Sequence, residues 1–325
     1  MRILSGTQPS GRLHLGNYFG AIRQFIELQE KGHTCFYFIA NYHALTSMRE
    51  SSKLQEATFH VAAAYLALGL DPKRSTFFVQ SDVPQVTELT WILNCVCPVS
   101  MMEKGTSYKD KIARGLPASM GLLDYPVLQA ADIVIYDSDL VPVGADQKQH
   151  LEMTRDLAIK FNMAFGSDVL VLPEAHIVPE VAVVPGLDGQ KMSKSYNNTI
   201  EMFATAKQTH KRCMQIVTDS TPLEAPKNPD KCNVFALLKL FAQPAEVEEI
   251  ATSYRSGGYG YGHAKKRLAE LINERFAPAR DKYAELEKNP DYVRDVLADG
   301  GRRAREVAEA TMNRVRAAAG LANTK

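Results

Sequence analysis

The sequence predicts a doubly wound parallel α/β sheet followed by a smaller all-helical domain, on three observations. In the first half, short continuous apolar runs alternate with helix-periodic stretches, the pattern of strands buried on both faces. A Pro-Ser-Gly turn stands just after the first of these runs, and open α/β folds bind ligands at the carboxyl ends of their strands. Beyond Ser195 the strand signals fade and helix-periodic segments dominate.

The strand candidates are residues 3–5, 35–40, 76–80 and 133–136. Between them, 52–70 carries Leu54, Phe59, Ala62 to Tyr65 and Leu66 at helical spacing. Around 101–124 the pattern gives way to a polar, lysine-bearing stretch, expected to be an insertion across the sheet edge. A further strand is expected at Val141 to Val143, ending in the turn at Gly144 and opening a helix. The later helices are placed at 200–217, 234–241, 245–254, 263–288 and 302–321, with 256–262, rich in glycine and tyrosine, as a flexible connection. The expected division is a catalytic domain over 1–185, including the insertion, and a mobile loop with a helical domain over 186–325.

A length of 325 residues with 45% hydrophobic content is ample for a buried core and excludes disorder as a global description. The net charge of +1 gives no whole-chain nucleic-acid signature, so an RNA partner would have to be met by a local patch. Arginine does gather after Gly301, at Arg302, Arg303, Arg305, Arg314 and Arg316. No segment reaches the roughly 18 apolar residues that span a bilayer, so no membrane partner is expected and the expected location is cytoplasmic. The five cysteines are scattered with no Cys-x-x-Cys spacing, which reads as reduced thiols without a structural zinc.

Two motifs carry the chemistry. Gln8-Pro9-Ser10-Gly11-Arg12-Leu13-His14-Leu15-Gly16-Asn17 lies on a strand-to-helix turn, which presents backbone N–H groups and a positive helix end to phosphate. Lys191-Met192-Ser193-Lys194-Ser195 puts two cations among small hydroxyl residues on a loop flanked by Gly186 and Gly189, expected to hinge there. Lysine in such a place acts as a point charge on departing phosphate oxygens. A third group, Tyr125, Gln129 and Asp132, shares one helix face at spacings of four and three. Gly144 and Ala145 leave room for a nucleotide sugar, while Asp146 and Gln147 offer hydrogen bonds.

The paired motifs resemble the signature of class I aminoacyl-tRNA synthetases, with His14-Leu15-Gly16-Asn17 where that family has His-Ile-Gly-His. Gly16 is expected to leave space for adenine or ribose, and Asn17 to donate hydrogen bonds. The Gly144-Ala145-Asp146-Gln147-Lys148-Gln149-His150 run and the 5–11 loop narrow the resemblance, over essentially the whole chain, to tryptophanyl-tRNA synthetases. The sister tyrosyl family typically places a tyrosine on the first strand, where this chain has the apolar Leu4.

The resemblance implies ATP-dependent activation of L-tryptophan and transfer to tRNA(Trp). ATP with Mg2+ would be held by Gln8, Pro9, Ser10, His14, Gly16, Asn17, Gly144, Ala145, Asp146 and the loop from Lys191 to Ser195, with Lys191, Lys194 and Lys111 on the pyrophosphate. Tryptophan would meet Leu4, His43, Tyr125, Gln129, Asp132, Val141, Val143 and Gln147. Asp132 is the implied acceptor of the indole N–H, with Gln129 as a second candidate reader; Tyr125 and Gln147 would hold the α-ammonium. A homodimer is implied, built on the insertion and its flanking helices. Some relatives carry an iron-sulfur cluster in the helical domain; only Cys232 stands at a plausible place here, so no cluster is expected. Two other readings share the phosphate motifs. A nucleotidyltransferase would lack the long helical stretch after Ser195, and a non-catalytic paralogue would usually have lost lysines that remain here.

Overall fold

The computed structural model describes residues 1–9, 11–103, 108, 115, 118–144, 147–166, 168–177 and 184–322. Its centre is a five-stranded, all-parallel sheet of order β3-β2-β1-β4-β5, built from β1 (Arg2–Thr7), β2 (Thr34–Ile39), β3 (Ser75–Val79), β4 (Leu140–Val143) and β5 (Glu174–Ile177). Chain order runs outward from β1 to β3 on one side and resumes at β4 on the other, so the strand order reverses between β1 and β4. That switch point is where an open α/β sheet leaves a crevice for ligand.

Both faces of the sheet are buried, as the unbroken apolar runs predict. Side chains alternate across a strand, so Cys35, Tyr37 and Ile39 of β2 enter one core cluster and Phe36 and Phe38 the other. The first cluster takes α1 (Arg23–Glu30) and α2 (Ser51–Ala67) and continues into the C-terminal helices. The second takes α3 (Gln85–Asn94), α4 (Met120–Val134) and α5 (Lys148–Phe165).

The expected strand at 133–136 is corrected: Ile133 and Val134 end α4, and Ile135 and Tyr136 follow it, all buried. A four-residue apolar run cannot be told from the buried end of a helix by periodicity. The strand expected at Val141 to Val143 forms as β4, and β5 has no counterpart in the sequence reading.

The helical part comprises α6 (Ala206–Met214), α7 (Asn233–Leu238), α8 (Pro244–Ser256), α9 (Tyr261–Lys288) and α10 (Pro290–Ala318). The expected 200–217 helix is shorter because Thr205 opens it with a capping box, its hydroxyl accepting from Gln208 N while Gln208 Oε1 accepts from Thr205 N. Conversely α10 starts well before the expected residue 302, since Pro290 sits at its first turn and Asn289 caps it.

The last helix, α10, returns to the sheet and covers the edge strand β3. At Gly300 a β-carbon would lie 1.8 Å from Phe77 O, so only glycine allows this approach. The clustered arginines staple that helix down. Arg316 grips both carboxylate oxygens of Glu88 at 2.7 and 2.6 Å, and Arg314 meets Asp137 at 2.6 Å. The glycine-rich connection is likewise a contact: a β-carbon on Gly257 (φ +81°) would lie 2.1 Å from Glu224 O. Beside it Tyr254, Tyr259 and Tyr261 pack together, with Tyr254 Oη 3.7 Å from Cys232 Sγ.

Candidate active site

The first motif leaves the carboxyl end of β1 at the switch point and enters helix at Leu15. His14 is its N-cap: Asn17 Oδ1 accepts from His14 N at 3.0 Å, which directs the donor end of that amide elsewhere. Burial, with the charge of Lys194 nearby, holds the His14 imidazole down at about 4, so it is neutral at physiological pH. Its Nδ1 is buried with no hydrogen-bond partner among the described residues. Gln8 is exposed, Pro9 buried, and Gly11 has φ +80°, a turn that favours glycine.

The second motif is docked against the first. The segment after it pairs with the motif-1 turn through Leu15 N to Ile200 O at 3.0 Å and Met202 N to Leu13 O at 3.2 Å. A β-carbon on Gly16 would stand 2.9 Å from His14 Nδ1 and 3.4 Å from Met192 Cβ. Glycine at this position lets the two motifs meet. Lys194 Nζ lies 3.9 Å from the position a β-carbon would take on Gly11, and burial lowers its pKa while Glu201 opposes that. Lys191 is exposed.

Asn198, absent from the sequence reading, pins this loop. Buried, it accepts from Ser193 N at 2.8 Å and donates to Asp188 Oδ1 at 2.8 Å and to Lys191 O at 3.2 Å. The glycines expected to hinge are contact points in this state: a β-carbon would meet Asn198 Nδ2 at 2.2 Å from Gly186 and Asn233 Nδ2 at 2.6 Å from Gly189. Their requirement for glycine comes from packing, and at Gly189 also from φ +84°.

On the other side of the switch point, α4 gives each of its three polar residues a partner. Asp132, 2% exposed, accepts from His43 Nε2 at 2.8 Å through Oδ2, and Gln80 Nε2 stands 2.8 Å from both of its oxygens. Burial raises the Asp132 pKa, opposed by the bonds from His43 and Gln80. Gln129 donates to Gln147 Oε1 at 3.4 Å. Tyr125 Oη lies 3.1 Å from His150 Nε2, and His150 Nδ1 lies 3.0 Å from Gln147 Oε1. Because that amide oxygen only accepts, the His150 nitrogen facing it, Nδ1, carries a proton. The rings of His43 and Tyr125 lie 6.3 Å apart, so the groups form one cluster.

Leu4 and Val141 are buried in the second core cluster. Gly144 follows β4 and is exposed. Ser10, Lys111, Ala145, Asp146 and the side chain of Val143 lie outside the described residues. Sequence reasoning missed Gln80 and gave His150 no role. The signal for Gln80 is a buried amide directly after a fully apolar strand; for His150 it is a histidine one helical turn past Gln147.

A parallel sheet with these two motifs locked together at its switch point, followed by helices, is the catalytic unit of a class I aminoacyl-tRNA synthetase. The chain matches the family described as tRNA synthetases class I (W and Y) over residues 1–277. It is 56% identical over 320 residues to a Tryptophan--tRNA ligase of Fusobacterium nucleatum, covering 98% of each chain. To the Tryptophan--tRNA ligase of Rhodopirellula baltica it is 56% identical over 321 residues, covering 99% of this chain and all of that one. Among solved structures, the tryptophanyl-tRNA synthetase of Campylobacter jejuni complexed with ADP and tryptophan superposes with a TM-score of 0.94 at 50% identity, covering 99% of this chain and 100% of that one. The chain belongs to the tryptophanyl-tRNA synthetase family.

Proposed function

We propose that this protein activates L-tryptophan with Mg2+-ATP and transfers it to tRNA(Trp). The observation that carries the reading is Asp132: a buried carboxylate aligned by two side chains, set across the switch point from the phosphate motifs. Indole N–H is a donor only, and such an acceptor is its complement. A phenol would leave different needs unmet, and a site built for one hydrogen-bonding pattern rejects the other strongly.

In the first step the carboxylate oxygen of tryptophan attacks the α-phosphorus of ATP in line, the bond to the bridging oxygen breaks, and pyrophosphate leaves. In the second, a hydroxyl of the terminal tRNA ribose attacks the acyl carbon and AMP leaves. Neither step needs a protein nucleophile. Catalysis is positioning plus charge stabilisation. Lys191 and Lys194, with Lys111, meet the negative charge on the leaving pyrophosphate. Gln8, Pro9, Ser10, His14, Gly16, Asn17 and the Gly144 to Asp146 turn seat the nucleotide, with His14 Nδ1 offered to it. Tyr125 and Gln147 hold the α-ammonium, Asp132 reads the indole, and Leu4, Val141 and Val143 flank the ring. Gln129 supports Gln147.

The helical part from 186 onward meets the tRNA, and the protein works as a homodimer in the cytoplasm. Exposed apolar side chains on α4 and on helices packed against it support the dimer: Met120, Trp91, Val99 and Met163, the last 82% exposed. Among the described residues no helix is long and apolar enough to cross a membrane. Amino-acid-dependent ATP–pyrophosphate exchange tests the activity, run with tryptophan, tyrosine and phenylalanine in parallel. Exchange with tryptophan alone is expected; exchange with tyrosine would move the assignment to the sister enzyme, and no exchange would favour a binding protein.

A further inference from the structure

Gln80 sits at the carboxyl end of β3, only 1% exposed. Its amide is engaged at both ends: Nε2 stands 2.8 Å from both oxygens of Asp132, and Oε1 accepts from Tyr42 N at 3.0 Å. Tyr42 precedes His43 on the short helix Asn41–Ala44, after β2. One side chain therefore joins the ends of two strands to a carboxylate carried on α4. A second link already ties those strand ends together without it: Asn41 Nδ2 donates to Ser81 Oγ at 2.7 Å and Ser81 N to Asn41 Oδ1 at 3.1 Å. The loops do not need Gln80 to stay in register. What it adds is control of the carboxylate.

His43 alone reaches one oxygen and leaves the carboxylate able to turn about its Cβ–Cγ bond. Bridging both oxygens fixes the plane. It also makes them unequal: Oδ2 carries His43 and Gln80, whereas among the described residues Oδ1 carries Gln80 alone. A carboxylate oxygen offers about two acceptor sites, so Oδ1 keeps one directed site. Hydrogen bonds weaken steeply as donor and acceptor lose alignment.

We propose that Gln80 is a positioning residue for substrate selection, aligning Asp132 so that Oδ1 receives the indole N–H. The proposal rests on the assignment of tryptophan as substrate. Its test compares L-tryptophan with the analogue in which sulfur replaces the indole N–H, β-(3-benzothienyl)-L-alanine, by equilibrium titration of wild type, Gln80→Met and Gln80→Asn. Met keeps the volume without the amide, and Asn keeps the amide one methylene too short to bridge. Either substitution is expected to weaken tryptophan binding about 10- to 100-fold and to leave the sulfur analogue within about twofold, because that ligand has no N–H to align. Equal weakening of both ligands would reduce Gln80 to a structural role and overturn the proposal, as would no change with either. If Gln80→Met does not fold, Gln80→Asn decides by the same two ratios. Failure of the underlying assignment would show separately, as wild-type protein that does not bind tryptophan.

Discussion

The two ends of the site are built on opposite plans. At the amino-acid end, Asp132 is buried and already bonded to His43 and Gln80, and Tyr125, His150 and Gln147 are linked in a chain. At the phosphate end, Lys191 is exposed and His14 Nδ1 is buried without a hydrogen-bond partner among the described residues. The difference fits the tasks proposed for the two ends. Discrimination requires an acceptor whose direction is fixed before the ligand arrives, whereas stabilising a leaving group requires charge that is engaged only as negative charge develops. Between them stands the docked second motif, held by Asn198 and by glycines at contact points.

The comparison can be broken most sharply at Lys194. Lys194→Met is expected to lower kcat of pyrophosphate exchange by about 100- to 1,000-fold with tryptophan affinity unchanged, measured by exchange kinetics beside an equilibrium titration. A parallel loss of affinity would mean that the two ends are one network. Asp132→Asn comes next. It keeps the shape but replaces an acceptor with a donor-bearing amide beside Gln80, and tryptophan affinity is expected to fall by about 100-fold, read in the same titration. Asn198→Ala sharpens the role of the loop, since it leaves Ser193 N and Lys191 O to water. We expect kcat to fall about 10-fold with tryptophan affinity preserved, and a stability loss of about 1–3 kcal/mol in urea unfolding.

The smallest effect is on acid stability. The His14 pKa is held down from 6.5 to about 4 by burial and by Lys194, so between those values the unfolded chain binds more protons than the folded one. Stability then rises with pH across that window and is lost as pH falls through it. His14→Gln removes this contribution, and its urea midpoint should change less than that of the wild type between pH 7 and pH 5. An equal change in both proteins would place the acid sensitivity elsewhere.

Much of this was legible in the sequence because its causes are local. The first motif is a strand-to-helix turn whose backbone conformation is written in Pro9 and Gly11, and the strands β1, β2 and β3 show as apolar runs because both faces are buried. Asp132 stood out as a polar residue on an apolar helix stripe. Its support Gln80 did not: it lies 52 positions away along the chain, and nothing near it announces that strand order brings the two together. The end of α4 looks like a strand in the sequence because Ile133 to Tyr136 are as apolar as a buried strand and only their attachment to a long helix tells them apart. The glycines of the second motif were legible as glycines but not as contacts, since the atoms they accommodate belong to Asn198 and Asn233.

The most direct test of the division between a preset reader and a separate catalytic end is a paired titration and exchange measurement on Asp132→Ala and Lys194→Met. We predict that Asp132→Ala loses tryptophan binding, and that Lys194→Met binds tryptophan like the wild type while its exchange rate collapses. Loss of both properties in both variants would contradict the account.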